Sequence, residues 1–293
     1  MNPTEIWIRN ASEPEMQYFV EMAAKEGWNP GLDDASSFYK TDPTGFFIAL
    51  SESMPVGCIS AVKYGTFGFI GFYIVNPEYR GKGIGINLWS RALQHLNGCN
   101  IGLDGVPQQE ANYRKSGFIA EHRNFRMKGS SETILSLTKN KSHILLASRL
   151  QTYVDANTIN FDDLTVYDRN HFPGNRATFL KAWISSPLSH SIVHTEGKMI
   201  KGFGTIRKCT DGWKIGPLYA ENPLIAEILF IKLISKIDKS EIYIDISSEN
   251  IDAQLLCKRY SLTQTFETIR MYTAKKPDIQ WDDIYGITTF ELG

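Results

Sequence analysis

The sharpest chemical feature of this 293-residue chain is Arg80-Gly81-Lys82-Gly83-Ile84-Gly85. It follows the apolar run 69–75 and opens an amphipathic stretch. Glycine lets a backbone approach a ligand closely. A helix N-terminus at the same place adds unpaired N–H groups and the positive end of the helix dipole. Together these suit a pyrophosphate; the bland alternative is a glycine-rich turn that binds nothing. Two familiar phosphate motifs are excluded. No Gly-Lys pair here precedes Ser or Thr, so this is not a Walker loop. The glycines run GxGxG rather than GxGxxG, and Asn76-Pro77-Glu78-Tyr79 separates them from the strand, so this is not the dinucleotide fingerprint either.

Such a motif needs a strand that delivers it and a helix that starts on it. Strands are expected at 6–8, 46–50, 56–63 and 67–75, split by the turns Ser53-Met54-Pro55 and Gly65-Thr66. Ser12-Glu13-Pro14-Glu15 reads as a capping box, opening a helix with Met16, Phe19, Val20 and Ala23 on one face and Gly27 at its end. Beyond the loop Trp28-Asn29-Pro30-Gly31, a short helix is expected at 33–40. A helix over 84–96 carries Ile84, Leu88, Ala92 and Leu96 on one stripe. A strand at 100–103, a helix at 108–116 and a bent strand at 118–127 complete this half.

The polar stretch 129–142 (GSSETILSLTKNKS) reads as an inter-domain linker or a long surface loop. Beyond it the pattern returns. The spacing of Phe118-Ile119 through Arg126-Met127 matches Leu262-Thr263 through Arg270-Met271. Tyr73-Ile74-Val75-Asn76-Pro77 matches Tyr219-Ala220-Glu221-Asn222-Pro223, and Leu103-Asp104 matches Ile244-Asp245. Three matches in one order point to a duplicated fold. The expected domains are therefore 1–128 and 143–293.

Composition narrows the partners. Lys plus Arg is 31 and Asp plus Glu is 32, a net charge of −1, which argues against nucleic acid as a partner. No run of roughly 18 apolar residues exists, so no membrane span is expected. The opening MNPTEIWIRN lacks a basic region before an apolar core, so no secretory leader is expected. Cys58, Cys99, Cys209 and Cys257 are widely spaced, which fits reduced thiols in a cytoplasmic protein better than disulfides or a zinc site.

The sequence resembles the GCN5-related N-acetyltransferase (GNAT) superfamily. Arg80, Gly83 and Gly85 fill its Arg/Gln-x-x-Gly-x-Gly/Ala pattern, and Val75-Asn76-Pro77-Glu78-Tyr79 looks like its strand exit. Tyr113-Arg114-Lys115-Ser116-Gly117-Phe118 is similar to its Tyr-x-x-x-Gly-Phe block. This resemblance covers about residues 5–128. The blocks at 27–31, 42–47, 103–118 and the terminal IYGITTFELG further resemble the YitH-like subfamily, whose members carry a second GNAT-like domain. The fold implied is α/β (α+β): tandem GNAT folds, each a mixed, mainly antiparallel central sheet flanked by helices.

The resemblance implies direct acetyl transfer from acetyl-CoA to an amine, without a metal. Tyr73, Ile74 and Val75 would bond the pantetheine arm. Arg80 and the amides of Gly81, Lys82, Gly83, Ile84 and Gly85 would hold the pyrophosphate. An N–H near Val75 would polarise the thioester carbonyl. Tyr113 sits where the family's general acid tyrosine sits, and the alternative is a cofactor-packing tyrosine. A base must also deprotonate the amine, yet the strand at 67–75 (FGFIGFYIV) holds no carboxylate. The candidates are Glu26, Asp33, Asp34, Asp104 and a water chain. Asp33 and Asp34 also suit helix capping, and Asp104 suits a turn.

In the second copy the positions of Arg80, Gly83 and Gly85 fall on Ala226, Leu229 and Ile231. No glycine lies between Leu218 and Ile244, so this copy should not bind CoA, leaving one active site per chain. Trp28 is a candidate acceptor-pocket residue. Asp168 and Arg176 either fix the substrate or form an internal pair. His190 and His194, i and i+4 on a strand, share a face and read as surface histidines. The expected protein is an N-acetyltransferase acting on a small amine, as a monomer or homodimer. The rivals are a non-catalytic acyl-CoA sensor and an acyltransferase using another acyl chain or acceptor.

Overall fold

The computed structural model describes residues 6–139, 141 and 152–293. The chain opens with β1 (Ile6–Asn10), α1 (Met16–Lys25), α2 (Asp34–Thr41), β2 (Phe46–Ser51), β3 (Met54–Tyr64) and β4 (Phe67–Val75). It continues with α3 (Ile84–His95), β5 (Asn100–Gly105), α4 (Glu110–Lys115) and β6 (Ile119–Ser130), and α5 (Ser131–Thr138) ends the first half. The second half holds β7 (Thr152–Asp155), α6 (Phe161–Arg169), α7 (Ala177–Ile184), β8 (Ser189–Glu196), β9 (Met199–Lys208) and β10 (Trp213–Ala220). Its remaining elements are α8 (Pro223–Ile234), β11 (Glu241–Ser247), α9 (Ile251–Arg259), β12 (Thr263–Tyr272) and β13 (Ile284–Gly286). Elements β7 to β12 repeat β1 to β6 one for one. The sequence matches fall on equivalent places, β6 with β12 and the ends of β4 and β5 with those of β10 and β11.

Local chemistry explains the element ends. The Ser12 N–H donates to Glu15 Oε2 at 2.8 Å, the return bond of a capping box. The face of α1 carrying Met16, Phe19, Val20 and Ala23 is buried, as its spacing requires. The stretch read as a linker is structured as far as it is described. Gly129 and Ser130 end β6 and pair with β11, and α5 begins at once. Its polar composition hides one apolar anchor, Ile134, which is fully buried in the second half's core. Residues 140 and 142 lie outside the described residues.

Among the described residues all the strands join one sheet, in the order β1-β2-β3-β4-β5-β12-β6-β11-β10-β9-β8-β7, with β13 added on β10. The last strand of each half lies inside the other half. β12 inserts between β5 and β6, and β6 between β12 and β11. The boundary near residue 128 thus follows the repeat along the chain, while the sheet crosses it. Pairing is antiparallel except for β4 with β5 and β10 with β11.

The exchange is locked by one contact made twice. Arg126 on β6 faces Asp245 on β11 in register, with Nε–Oδ1 and Nη2–Oδ2 both 2.7 Å. Arg270 on β12 faces Asp104 on β5, again with both bonds at 2.7 Å. All four side chains are inaccessible or nearly so. Bidentate geometry satisfies both charges, but removing one partner strands the other in a dry interior.

Both parallel pairs splay. β4 and β5 pair only from Phe67↔Asn100 to Ile70↔Leu103, and β10 and β11 only from Trp213↔Ile242 to Ile215↔Ile244. In the second half β13 fills the gap, with Leu218↔Gly286 and Tyr219↔Ile284 on one side and Ile287 N–H to the Asp245 carbonyl at 2.7 Å on the other. In the first half the gap stays open. Arg270→Met should lower the unfolding free energy by about 3–5 kcal/mol in a denaturant titration, and Arg270→Met with Asp104→Leu should recover much of it. A loss below about 1 kcal/mol in the single variant would show that the pair does not hold the strands.

Candidate active site

The open gap is made by a defect in β4. Phe72 has φ +46°, a conformation that a bulky residue rarely adopts. The β3–β4 register jumps there from Ser60↔Gly71 to Cys58↔Ile74, so one residue of β3 opposes two of β4. A bulge of this kind bends a strand and re-aims the residues beyond it. Past the bulge, the Asn76 N–H donates to the Val56 carbonyl at 2.9 Å. Antiparallel alternation therefore turns the polar groups of Val75 away from β3, toward the gap. A cavity of about 340 Å³ occupies the gap and includes Tyr73, Ile74 and Val75 in its wall.

The glycine motif sits at the end of this strand. Gly81 and Gly83 have φ of +76° and +80°, with open space where a Cβ would stand. Gly83 is the N-cap of α3 and supplies no side-chain cap. The first turn of α3 therefore presents its N–H groups outward. At Gly85 a Cβ would lie 2.8 Å from the Tyr73 hydroxyl, so this glycine lets the helix sit on the strand. Arg80 is anchored by Nε to the Val75 carbonyl (2.8 Å) and by Nη2 to Glu26 (2.5 Å). Lys82 Nζ lies 4.7 Å from the centre of the Tyr79 ring. Two positive-φ glycines, an uncapped helix start and two cations make a cradle for a phosphorylated ligand.

Tyr113 lines the cavity, with its ring 5.5 Å from Trp89 and pressed on Gly105. Burial pushes its phenol up to about 12. Glu26 and Asp104 also line the cavity. Glu26 is bound to Arg80. Asp104 is held by Arg270 and also accepts from Asn124 Nδ2 at 2.7 Å. Burial pushes the Asp104 carboxyl up, and Arg270 and Asn124 oppose that. The turn and base readings of Asp104 both give way to a structural one, because it is half of the reciprocal pair.

Similarity to known proteins decides the family. A family model described as "Acetyltransferase (GNAT) family" matches residues 8–118, and one described as "Acetyltransferase (GNAT) domain" matches 164–286. Holothin acyltransferase of Pseudoalteromonas sp. (strain SANK 73390) is 31% identical over 296 residues, covering all of this chain and 97% of that one. The chain belongs to the GNAT acyltransferase family. The uncharacterised N-acetyltransferase YitH of Bacillus subtilis (strain 168) is 24% identical over 239 residues, 81% of each chain. A Pyrococcus horikoshii structure described as a candidate acetyltransferase aligns over 100% of this chain and 98% of its own, with TM-score 0.80 and 24% identity. A tandem GNAT protein from the clavulanic acid biosynthesis pathway aligns over 93% and 100%, with TM-score 0.62 and 10% identity.

The second GNAT half has no equivalent cradle. Asn222 caps α8 with its own side chain, accepting from the Leu224 and Ile225 N–H groups at 3.1 and 3.0 Å. Pro223 removes one more donor. The gap beside β10 is filled by β13. Both halves of the binding geometry are thus satisfied from within the chain.

Four expected site residues lie elsewhere. Asp33 precedes α2, away from the cavity, beside Asp34. Asp34 is buried, accepting from Arg207 Nε (3.0 Å) and the Gly31 N–H (2.7 Å), so it is neither a cap nor a base. Asp168 and Arg176 pair through bonds of 2.8 and 2.9 Å in the interior. Arg176 also donates to the Tyr219 hydroxyl (2.9 Å) and Thr288 Oγ1 (3.0 Å). They are the internal pair, not a substrate clamp. His194 is buried rather than exposed, with Nδ1 2.8 Å from the Thr152 carbonyl oxygen and its ring stacked on Tyr153. Among the described residues no helix could cross a membrane, and no cluster of three or more potential ligands could hold a metal.

Trp28 does line the cavity, and its carbonyl accepts from Arg126. The rest of that wall is not apparent from the sequence. Phe266 and Thr268 come from β12, and Phe290 and Glu291 from the C-terminal tail. They lie well over a hundred residues from the glycine motif, and only the terminal block IYGITTFELG signals that the tail matters. Gly83→Val places a β-branched residue at φ near +80° and fills the cradle, a strain of about 1–3 kcal/mol. It should weaken acetyl-CoA binding at least tenfold by calorimetry while the circular dichroism spectrum stays native. An unchanged Kd would remove the cradle from the site.

Proposed function

We propose that the first GNAT half transfers an acetyl group from acetyl-CoA directly to the primary amine of a small molecule, at one site per chain. The observation that carries this reading is the contrast between the halves. The gap beside Val75 opens onto a glycine cradle, whereas the gap beside β10 is filled by the chain itself. The Arg80 and Lys82 cations and the amides from Gly83 to Gly85 suit the pyrophosphate. The Val75 N–H, directed into the gap, suits the thioester carbonyl and stabilises the oxyanion that forms as the amine attacks. Tyr113 supplies the proton that the departing sulfur needs.

A small acceptor is supported by the roof of the cavity. Phe266 and Phe290 belong to the second half and wall the cavity of about 340 Å³, which suits an acceptor of low molecular mass. The similarity to a holothin acyltransferase supports an acceptor of low molecular mass. Three of the four cysteines are buried and all are free, which supports a cytoplasmic location.

Calorimetry should find one acetyl-CoA per chain, and a screen of primary amines should find thiol release. Binding without turnover of any amine would instead make the protein an acyl-CoA sensor. Tyr113→Phe should lower kcat about 100-fold with the KM for acetyl-CoA unchanged. A general acid works while protonated, and burial raises this phenol to about 12. Activity should therefore show no alkaline loss from Tyr113 up to about pH 10. Wild-type kcat in Tyr113→Phe would make Tyr113 a packing residue.

A further inference from the structure

Glu291 reaches the cavity from a tail that is pinned along its length. The tail runs so close to β4 that a Cβ on Gly71 would lie 2.1 Å from the Glu291 carbonyl oxygen. The Glu291 N–H donates to Thr289 Oγ1 at 3.2 Å, and the Tyr64 hydroxyl donates to the Leu292 carbonyl at 3.1 Å. Glu291 is thereby one of the residues that line the cavity, beside the bulge at Phe72. Only 2% of the residue is exposed, and Oε2 has no hydrogen-bond partner. A buried carboxylate oxygen without a partner is costly, and a donor that bonds to the carboxylate relieves that cost.

The other carboxylates of the cavity are engaged, Glu26 by Arg80 and Asp104 by Arg270 and Asn124. The charged groups around Glu291 are Lys214 from β10, Arg126 from β6, Arg207 from β9 and Asp34 from α2. Arg126 is bound to Asp245 and Arg207 to Asp34. Lys214 Nζ donates to the Asn29 carbonyl at 2.7 Å. Arg126 and Arg207 are thus paired with Asp245 and Asp34, while Lys214 has no carboxylate bound to it and acts on Glu291 through its charge. Burial pushes the Glu291 carboxyl up, and Lys214 and Arg126 pull it back.

We propose that Glu291 is the general base, the carboxylate that takes a proton from the acceptor amine. The proposal rests on the acyl-transfer reading above. The acceptor arrives as an ammonium and gives one proton to Glu291. The neutral nitrogen bonds to the acyl carbon as the carbon–sulfur bond breaks. Tyr113 protonates the sulfur and regains a proton from the nitrogen, and Glu291 releases its proton to solvent. One proton is released per turnover. Trp28, Phe72, Phe266 and Phe290 wall the same cavity, so the acceptor class is a primary amine on a flat, apolar body.

The test uses the full chain with acetyl-CoA and benzylamine, phenethylamine and tryptamine as probe amines, read as thiol release. kcat is measured against pH, so that ionisation of the free amine does not enter. A base works while deprotonated. Wild-type kcat should fall as pH drops through the Glu291 ionisation, which should lie above the ordinary glutamate value of about 4.3. Glu291→Gln should lower kcat about 10²- to 10⁴-fold and abolish this acid limb, while calorimetric acetyl-CoA binding stays at the wild-type value. Glu291→Asp should recover part of the rate with a displaced limb. A Glu291→Gln enzyme that keeps the limb, whether fast or slow, would overturn the proposal, as would loss of acetyl-CoA binding in step with the rate. Wild-type protein that turns over other primary amines but none of these three overturns the flat, apolar acceptor class, and acetyl-CoA binding without turnover of any primary amine overturns the transfer reading and this assignment with it.

Discussion

Two buried arginines, each facing an aspartate from the other half of the chain, hold the centre of the sheet. Arg126 with Asp245 and Arg270 with Asp104 sit at equivalent positions of the repeat. Each pair crosses from one half's exchanged last strand to the other half's fifth. The partners satisfy one another in a place where water does not reach, so neither can leave without stranding a charge. The exchange of β6 and β12 rests on this constraint, and the walls of the active site rest on the exchange. β5 is covered by β12, which brings Phe266 and Thr268 to the wall of the cavity. Asp104, which sequence alone offers as a base, is spent on this contact.

The duplication matters because its two copies diverge at one place. Both have a parallel strand pair that splays. In the first half the bulge at Phe72 and the open glycine turn leave the gap and the start of α3 free. In the second, β13 fills the gap and Asn222 fills the helix start. The tail that closes the second slot then continues to the first and delivers Phe290 and Glu291. One segment therefore fills the gap of one GNAT half and lines the cavity of the other. The second half is not a spare copy; it supplies the wall, the pinned tail and the cluster of charges behind Glu291.

The local layer was readable from residues. The capping box at Ser12 and Glu15, the strand and helix around Arg80 to Gly85, and the Tyr113 block rest on near-neighbour chemistry, which a linear chain carries openly. The equivalence of Leu103-Asp104 with Ile244-Asp245, and of Arg126 with Arg270, was also visible as a repeat. That each aspartate would find the other copy's arginine was not, because spacing shows which residues are equivalent and not which strands pair. The polar stretch after residue 128 looked like a linker because ten of its fourteen residues are Ser, Thr, Asn, Lys or Glu. Ile134 outweighs them by burying one face of α5.

The sequence by itself determined the fold family, the glycine turn at the start of the helix after β4 and the absence of that turn in the second copy. Glycines, caps and their distances along the chain are sufficient for these. Only the tertiary structure decided which carboxylates are free. Asp33, Asp34, Asp104, Glu26 and Asp168 are chemically the same kind of group in the sequence. Burial and partners separate them: Asp34, Asp104, Glu26 and Asp168 are each tied to an arginine, and Asp33 lies away from the cavity. Glu291, near the far end of the chain, lines the cavity without an ion pair of its own, and its buried Oε2 has no hydrogen-bond partner. Whether a carboxylate is neutralised depends on what lies within a few ångströms of it, and for these residues the nearest partners lie up to 173 positions away in the chain.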